Sequence, residues 1–378
     1  MAYSPVEIMP GVKFLRPTWA EIKLSALKHN LLKIRDLCGP GVKVMFVVKA
    51  DAYGHGAAAA AAFAEREKLA WGFGVSSVEE GLALRAAGIV SPVLVLGSLY
   101  PFESFVEAIN AGLTVTIASL DAARQVVEAS RSLGKNTVCH IKLETGMGRI
   151  GARRPAVVKI FEELSASGAA SAGGLYTHLA CADSDPAYTA EQLGYFSETA
   201  AELEGLGAAG LIRHAANSAA LVSYPESRWE MVRAGLAAYG LMDGFEPALS
   251  WKTKIVFLKT VRAGSYISYS RSFRTSRQTT VATMPVGYGD GYLRAYSNKA
   301  EVIINGKKCP VIGNVTMDMT MVDVTDAPGA AVGSEAVLIG RDGGAEITAR
   351  DLAAAGGTIP YETVTLITAR VPRFTMAV

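Results

Sequence analysis

One repeated unit constrains the fold more than any other feature of the chain. Between residues 40 and 240, a short apolar run, a turn and an amphipathic helical segment follow one another repeatedly. Eight apolar runs can be identified, namely KVMFVV, WGFGVS, PVLVLG, LTVTIA, VCHIKL, GGLYTHLA, LIRHAA and VRAGLAAYG. Eight βα units in about 200 residues match the size and strand count of a (β/α)8 TIM-type barrel. A doubly wound open sheet is the alternative architecture, but it usually has fewer strands.

The pattern changes after Gly244, where apolar and polar residues begin to alternate. The runs WKTKIVFLKTV, TVATMPVG, AEVIINGKKCPVIG and TMDMTMVDVT alternate in this way, and Asn305-Gly306 is a strong hairpin signal. The segment TWAEIKLSALKHNLLKIRDLC, ahead of the first barrel strand, is typical of a short strand followed by a helix. We therefore expect an α/β chain with a (β/α)8 barrel over residues 1–244 and a mostly β C-terminal domain over residues 245–378.

Charge and cysteine content exclude several functional classes. The 378-residue chain has a net charge of +2 and no Lys/Arg run, which argues against nucleic-acid binding. Its four cysteines show neither CxxC spacing nor a paired framework, as expected in a reducing cytosol. The N-terminal segment MAYSPVEIMPGVKFLRP lacks the features of a secretion signal, and the Ala-rich segments are too short to span a bilayer. We expect a cytoplasmic enzyme without a metal site, in which a charged fraction of only 19% suits an oligomer.

Several unusual side chains lie at the carboxyl ends of the predicted strands, where TIM-type barrels carry their chemistry. They are Lys49 after the first strand, Arg149 after the fifth, His178 after the sixth, Asn217 and Ser218 after the seventh, and Arg233, Gly235 and Leu236 at the eighth. Each one alone has an ordinary explanation, such as a surface ion pair for an arginine or a helix N-cap for Ser218. Their shared position at one end of the barrel favours a functional site.

The stretch VVKADAYGHG indicates which cofactor such a site would bind. Ser218 and Gly235 suit a phosphate cradle in the loops where barrels bind phosphate, and Tyr53 could add a hydroxyl donor. Lys49 ends an apolar run and either reaches for solvent or carries chemistry. A lysine beside a phosphate site suits pyridoxal phosphate (PLP), whose aldehyde forms a Schiff base with a lysine of lowered pKa. The string GMGRIG resembles a dinucleotide fingerprint, but it follows the fifth run and lacks the acid expected about 20 positions later.

These strings also resemble those of a known family. VVKADAYGHG, KLETGMGRIG, THLACAD, HAANSAA, MVRAGLAAYG, SYSRSF, PVGYGDG, NVTMDMTMVDV and IPYE occur in the order found in alanine racemases, from about residue 17 to residue 370. The family's fold is a PLP-binding barrel followed by a β domain, in agreement with the prediction above. The resemblance implies a PLP-dependent isomerase that interconverts L- and D-alanine for peptidoglycan synthesis. It also implies a homodimer whose active sites are completed across the interface.

The resemblance implies roles for individual residues as well. Lys49 would bind PLP and act as one of two catalytic bases, and Tyr269 would be the second base, entering from the partner subunit. Arg233 would bind the pyridine nitrogen, with His178 linking Arg233 to Tyr269. The other cofactor-binding residues would be Tyr53, Ser218, Gly235, Leu236 and Tyr361 at the phosphate, Arg149 at the phenolic oxygen and Asn217 beside the ring. The substrate-binding residues would be Arg149 and, from the other chain, Met317, with Tyr288 and Asp318 lining the entrance.

Two positions depart from the family pattern. Glu144 stands where members commonly have aspartate, near Lys142, which matches a lysine that is carbamylated in several members. Thr316 precedes Met317 where many members have cysteine, so thiol sensitivity is not expected there.

Three other functions are alternatives to this one. A racemase for serine or for a broad set of amino acids is the main alternative. A decarboxylase on the same barrel would carry a glycine-rich phosphate loop and a catalytic cysteine in its second domain, and neither is recognisable. A PLP carrier resembles the barrel alone, so the β domain argues against that function.

Overall fold

The described part of the chain forms two compact units. The computed structural model describes residues 7–9, 12–13 and 15–376, so most of MAYSPVEIMPGVKFLRP, in which we expect no secretion signal, lies outside the described residues. One unit comprises Leu27–Ala52 and Gly56–Glu246, and the other comprises Met1–Ala26, Tyr53–His55 and Pro247–Val378. Among the described residues, no helix combines the length and the apolar character needed to cross a membrane.

Among the residues that the structure describes, three strands and a helix precede the barrel strands. β1 (Glu7–Met9) and β2 (Val12–Lys13) pair antiparallel, and β3 (Thr18–Lys23) and α1 (Leu24–Cys38) follow. The strand and helix predicted for TWAEIKLSALKHNLLKIRDLC are therefore both present, although β3 belongs to a sheet of the second unit.

Eight parallel strands form the nearly closed barrel that the repeated unit predicts. They are β4 (Lys43–Val47), β5 (Gly72–Val75), β6 (Val93–Val95), β7 (Thr114–Ile117), β8 (Thr137–Lys142), β9 (Ala170–Tyr176), β10 (Ile212–His214) and β11 (Met231–Ala234). Each strand from β4 to β9 pairs with the next in sequence, and β11 returns to pair with β4. The described residues form no ladder between β10 and β11, where the N–H of Arg233 instead donates to the carbonyl of Ala216 over 3.0 Å.

Helical segments follow the barrel strands, and local sequence signals begin and end several of them. They are α2 (Lys49–Gly54), α3 (Ala57–Arg66), α4 (Val78–Ala86), α5 (Phe102–Asn110), α6 (Leu120–Leu133), α7 (Arg154–Ser167), α8 (Pro186–Gly205), α9 (Ser218–Ser223) and α10 (Leu236–Tyr239), with a 3-10 turn at Pro225–Ser227. In α6, for example, the Ser119 side chain accepts a hydrogen bond from Ala122 N at the start, and Gly134 ends the helix with a φ of 59°.

The barrel strands also carry a cluster of buried polar side chains. The side chains of Thr116, His140, Lys142, Tyr176, His214 and Arg233 are all buried. Branched aliphatic residues dominate the interior of an ordinary TIM barrel, and a buried polar group is costly unless it is hydrogen-bonded. The polar residues therefore mark the part of the barrel in which a functional site is expected.

The second unit is mostly β. Its further strands are β12 (Leu249–Lys254), β13 (Phe257–Val261), β14 (Tyr266–Ile267), β15 (Phe273–Arg274), β16 (Thr279–Met284), β17 (Glu301–Ile304), β18 (Lys307–Pro310), β19 (Thr320–Asp323), β20 (Glu335–Asp342), β21 (Ala345–Ile347) and β22 (Arg373–Met376). Its helices are α11 (Ala349–Gly356) and α12 (Pro360–Thr365), with 3-10 turns at Tyr269–Arg271, Tyr288–Asp290 and Arg294–Tyr296.

These strands form one large sheet and two smaller ones. The large sheet has the order β18-β17-β20-β12-β3-β22, with β21 paired to β20, and the others are β13-β16-β19 and β14-β15. The expected hairpin joins β17 to β18, and both of its turn residues, Asn305 (φ 50°) and Gly306 (φ 73°), have positive φ. The fold class that we expect from the sequence is therefore confirmed. The division into domains 1–244 and 245–378 stays a prediction.

Candidate active site

Lys49 lies just beyond the carboxyl end of β4 and begins a segment of left-handed backbone. The five residues after it have positive φ values: 51° for Ala50, 51° for Asp51, 54° for Ala52, 53° for Tyr53 and 77° for Gly54. The left-handed conformation costs a residue with a Cβ roughly 1–2 kcal/mol, so it persists only where the surroundings enforce it. Asp51 contributes to this, because its Oδ1 accepts a hydrogen bond from Ala57 N (2.7 Å) and its carbonyl accepts one from Gly56 N (2.9 Å).

The surroundings of Lys49 favour the uncharged amine. Burial lowers the pKa of Lys49 most, the nearby Arg149 lowers it next, Glu80 raises it, and Arg233 lowers it again. A lysine with a lowered pKa has more neutral amine near neutral pH, which is the form that attacks an aldehyde or accepts a proton.

Arg233, on β11, is held by groups without negative charge. Its Nη1 donates to His214 Nδ1 (3.1 Å) and His214 O (2.7 Å). Its Nη2 donates to Thr177 O (2.7 Å) and Ala215 O (3.0 Å), and His178 Nδ1 lies 3.5 Å from the same nitrogen. Burial lowers the pKa of Arg233 to about 10, so the guanidinium remains charged at neutral pH. Among the described residues, none of its hydrogen bonds goes to a carboxylate.

Two buried histidines extend the network of Arg233. His214 Nε2 lies 2.8 Å from His140 Nδ1, and the His214 ring stacks on Tyr176 with 4.6 Å between ring centroids. Burial lowers the pKa of His140 to about 4 and that of His214 well below its usual value, so both rings are neutral. Because Arg233 can only donate, His214 Nδ1 accepts, and the proton on its Nε2 is donated to His140 Nδ1. Gly174 leaves room for this pair, since an added Cβ would lie 2.6 Å from His140 Nδ1.

Two further basic side chains interact with Arg233. Lys142 is only 5% exposed, and its Nζ lies 5.3 Å from the centroid of the Tyr176 ring. Burial, followed by Arg233, lowers the pKa of Lys142 to about 8. The same two causes lower the pKa of His178 to about 3, so that the charge of the Arg233–His178 pair resides on the arginine.

Glu144, one of the two departures from the family pattern, binds the loop ahead of Arg149. Its Oε1 accepts a hydrogen bond from Gly146 N (2.5 Å), and its Oε2 accepts one from Gly148 N (3.0 Å). Both carboxylate oxygens of Glu144 therefore bind the backbone of this loop. The loop in turn presents Arg149, whose side chain is exposed.

Three of the predicted phosphate residues, Ser218, Gly235 and Leu236, lie where α9 and α10 begin. Ser218 is buried, and its Oγ accepts hydrogen bonds from Gly235 N (3.0 Å) and Ala237 N (3.2 Å). Asn217 caps α9 with its side-chain oxygen, and Leu236 is the first residue of α10. A serine hydroxyl and the N-terminal ends of two helices therefore lie together, which is an arrangement that suits a phosphate group.

The charges of this cluster fit PLP. Four basic side chains lie there, namely Lys49, Lys142, Arg149 and Arg233: the two arginines lower the pKa values of both lysines, and Lys49 lowers that of Lys142. Only Glu80 and Glu144 act on the two lysines in the opposite direction, and the hydrogen bonds of Arg233 use Nη1 and Nη2 alone. A cofactor with a phosphate and a phenolic oxygen supplies negative charge to such a cluster, and its aldehyde reacts with a neutral lysine.

The other predicted site residues belong to the second unit. Tyr269 lies in a 3-10 turn with its side chain 72% exposed, and Met317 (54%) and Tyr288 (42%) are exposed as well. Tyr53 and Tyr361 interact with each other, and burial, followed by Tyr361, raises the pKa of Tyr53 to about 12. Exposed aromatic and methionine side chains of this kind are common where a protein contacts a partner.

A buried carboxylate that the sequence patterns do not single out supports the predicted entrance residues. Asp290 is fully buried, Arg16 binds both of its oxygens, and Gly287 N donates to its Oδ2 over 3.0 Å. Arg370 lies 3.6 Å from Asp290 and donates to Asp318 Oδ1 over 2.7 Å. The string PVGYGDG contains Asp290, but nothing in it distinguishes a buried acid from a solvated turn residue.

The barrel also contains site residues that sequence reasoning missed. His140 and Lys142 stand two positions apart on β8 and so share one face of the strand, which is a signal that could have identified His140. No such signal exists for Glu80, because an acid in the first turn of a helix is ordinarily a solvated residue.

Comparisons with known proteins agree over both units. The family model described as alanine racemase, N-terminal domain, matches residues 22–243, and the one described as alanine racemase, C-terminal domain, matches residues 248–375. An alanine racemase of Symbiobacterium thermophilum is 44% identical over 371 residues, which cover 95% of this chain and 97% of the relative. The solved structure of alanine racemase from Bacillus anthracis with bound L-Ala-P has 34% identity and a TM-score of 0.90, over 97% of this chain and 96% of that chain. An alanine racemase structure from Clostridium difficile 630 has 36% identity and a TM-score of 0.89, over 96% of this chain and 97% of that chain.

Proposed function

The chain belongs to the alanine racemase family, and on this basis we propose that it interconverts L-alanine and D-alanine with PLP as its cofactor. The observation that carries the proposal is Lys49 at a strand end, with a pKa lowered by burial and by Arg149 and Arg233. PLP, when bound, supplies the electron-withdrawing ring that acidifies the α-proton of an amino acid joined to it. The residues of the chain bind the two molecules and move one proton on each face of alanine.

Residues of the barrel unit, together with Tyr53 and Tyr361 of the second unit, would hold the cofactor in this proposal. Lys49 would bind the aldehyde carbon, Arg149 would donate to the phenolic oxygen, and Arg233 would bind the pyridine nitrogen with His178 beside it. The remaining contacts are Ser218, Gly235, Leu236, Tyr53 and Tyr361 at the phosphate and Asn217 beside the ring. Because Arg233 is permanently charged, it disfavours a proton on the ring nitrogen and so weakens the ring as an electron sink. This limits side reactions such as decarboxylation and transamination.

Two bases on opposite faces of the α-carbon carry the proton transfers. Lys49 Nζ serves one face, and its lowered pKa supplies the neutral amine that accepts a proton. Tyr269 Oη serves the other face from a partner subunit, and the 72% exposure of Tyr269 in the single chain supports this assignment. The protein is then a homodimer, in which Arg149 and the partner's Met317 position the substrate carboxylate.

The substrate entrance and Lys142 complete the proposed site. Tyr288 and Asp318 line the entrance, where Arg370 fixes the carboxylate of Asp318. Lys142 has a pKa lowered to about 8, chiefly by burial, and a neutral amine is the form that reacts with carbon dioxide. A carbamate on Lys142 would place a negative charge near Arg149 and Arg233. We assign the cofactor site, apart from Tyr361, to the barrel domain, residues 1–244, and Tyr269 to the β domain, residues 245–378.

The setting of the enzyme follows from this activity. D-alanine is a building block of peptidoglycan, so the proposed role is to supply it in the cytoplasm.

Isotope exchange tests the proposed reaction directly. The purified, PLP-loaded protein is incubated with L-alanine in heavy water, and the chirality and deuterium content of alanine are followed together. We expect deuterated D-alanine to form, because each turnover removes the α-proton and returns one that has exchanged with solvent. Lys49→Ala serves as the control and should yield neither product nor deuterium. If the wild-type protein binds PLP but alanine keeps its proton and configuration, racemisation of alanine is wrong, and serine is the next substrate to test.

A further inference from the structure

One carboxylate connects the backbone next to Lys49 with the end of the neighbouring strand. Glu80 Oε1 accepts a hydrogen bond from Ala50 N over 2.8 Å. Glu80 Oε2 accepts bonds from Ser76 N (2.7 Å) and Ser76 Oγ (3.0 Å), and Ser76 directly follows β5. The side chain of Glu80 is itself half-buried in the first turn of α4, which Ser77 caps. Both oxygens are therefore used, and each is held by a different segment of the barrel rim.

The bond to Ala50 N lies where the left-handed backbone begins. Ala50 is the first of the residues with positive φ after Lys49, and its amide directly follows the Lys49 carbonyl. Further along, Ala52 N is bound by Val48 O over 2.8 Å, whereas Ala50 N is bound by the Glu80 carboxylate. A hydrogen bond to an ionised acceptor is stronger than one between neutral groups. The bond to Glu80 therefore offsets part of the cost of the left-handed conformation at Ala50.

We infer that Glu80 is a positioning residue for Lys49: its carboxylate holds the start of the left-handed turn and thereby fixes the strand end from which the lysine extends. Its effect on turnover rests on the proposed function, in which Lys49 is a base. The effect on the backbone and on the lysine amine does not depend on that function.

The charge of Glu80 also acts on Lys49. Of the groups that shift the pKa of Lys49, Arg149 and Arg233 lower it together with burial, and only Glu80 raises it. Lys142 is the other lysine of the cluster, and its own pKa is lowered by Lys49. Loss of the Glu80 charge should therefore move the pKa of Lys49 further down.

Glu79 provides a matched control on the same helix. It neighbours Glu80 in the first turn of α4 and carries the same charge, but its side chain is exposed and it is not bound to Ala50. Glu79→Gln removes one negative charge from this helix without touching the turn. Glu80→Gln leaves one oxygen and places an amide N–H₂ group against a backbone donor, so it breaks at least one bond of the connection.

Two measurements on the full-length protein test the inference. The first is amide hydrogen exchange of the segment that contains Ala50 in the PLP-loaded protein, where Glu80→Gln should exchange about tenfold faster than wild type. The second is the pH dependence of acetylation of Lys49 before PLP is added, read by mass spectrometry. Its midpoint should fall by a few tenths of a unit to about one unit in Glu80→Gln. Glu79→Gln should match the wild type in both.

The outcomes separate this inference from the proposed function. Equal exchange and equal labelling midpoints in Glu80→Gln and Glu79→Gln overturn the positioning role. If Glu80→Gln does not fold, Ser76→Ala, which removes one donor to Oε2, should still speed exchange of the Ala50 amide, and an unchanged rate overturns the role as well. If both measurements shift as expected while the wild-type protein does not racemise alanine, the positioning role stands and the proposed function fails.

Discussion

Burial keeps imidazole groups of this barrel uncharged, and this makes the stability of the protein depend on pH. The pKa of His140 is lowered to about 4, chiefly by burial, whereas an imidazole in the unfolded chain binds a proton near pH 6.5. Between these two values the unfolded state binds more protons than the folded state. The free energy of unfolding therefore falls as the pH falls through this window, and it is insensitive to this group above it.

His140→Gln should make the stability of the protein less sensitive to acid. One pKa unit corresponds to 1.36 kcal/mol, so His140 accounts for a loss of up to about 3 kcal/mol between pH 6.5 and pH 4. Urea unfolding at a series of pH values measures this dependence in wild type and variant. We expect the wild type to lose more stability than the variant below pH 6.5 and the two slopes to be alike above it. Identical slopes throughout would contradict a buried, neutral His140.

Asp290 is a second residue whose burial leads to a specific expectation. It pairs with Arg16 in a fully buried position, and Gly289 N, beside it, donates to Met317 O over 2.9 Å. Asp290→Asn removes the charge that compensates the arginines, which should destabilise the protein by about 3 kcal/mol. The loop of Met317 should shift with it, so we also expect a higher KM for alanine. Denaturant unfolding and initial-rate kinetics measure the two effects.

Asp326→Asn is the control for this experiment. Asp326 also pairs with an arginine in the same unit, Arg277, but both side chains are more than half exposed. Exposed pairs contribute little to stability, so this variant should resemble the wild type in both measurements. Similar losses in the two variants would show that burial is not what makes Asp290 important.

At the scale of elements, local signals predict much of the fold but not its irregular parts. Each of the eight apolar runs overlaps one of the strands β4–β11, and the Asn305-Gly306 hairpin lies where its turn residues predict it, because strand alternation and turn chemistry act over a few positions. The partners of β3, which are β12 and β22, could not be predicted, since strand pairing depends on contacts distant in sequence.

In the candidate site, too, some features could be predicted from the sequence and others could not. Lys49, Arg149 and Arg233 could be predicted as strand-end residues, because a parallel barrel brings the carboxyl ends of its strands to one rim. The bond from Ala50 N to Glu80 could not, because it depends on a left-handed turn formed by ADAY, a sequence without glycine. Alanine favours the right-handed helix more than any other residue, so the sequence alone favours the wrong hand there.

Glycine substitutions should change the stability of the protein in different directions in the left-handed turn and in a regular helix. Ala50 is exposed with a φ of 51°, whereas Ala59 is exposed within the regular helix α3. Ala59→Gly should destabilise the protein by about 1 kcal/mol, as glycine does in an exposed helix. Ala50→Gly should be neutral or stabilising by up to about 1 kcal/mol, because glycine adopts positive φ without strain. Thermal unfolding of the two variants measures the difference, and equal losses would contradict a left-handed turn at Ala50.

At the scale of the whole molecule, the proposed site combines residues from two copies of the chain. The lysine base belongs to the barrel unit, whereas Tyr269 belongs to the other unit and exposes most of its side chain. In a homodimer with twofold symmetry, each site would combine Lys49 of one subunit with Tyr269 of its partner. A site built within one chain would need only the residues of that chain, so the two arrangements differ in how inactive variants behave when they are combined.

Mixed dimers of Lys49→Ala and Tyr269→Ala distinguish these arrangements. Each variant alone should be nearly inactive, because every site lacks one base. In a mixed dimer with shared sites, one site lacks both bases, while the other combines an intact Lys49 with an intact Tyr269. Random association of equal amounts makes half of the dimers mixed, so about a quarter of wild-type activity should return. Co-expression with two affinity tags isolates the mixed dimer, whose activity should then be about half that of wild type. If every site used Lys49 and Tyr269 of the same chain, each site in the mixed dimer would lack one base, and no activity would return.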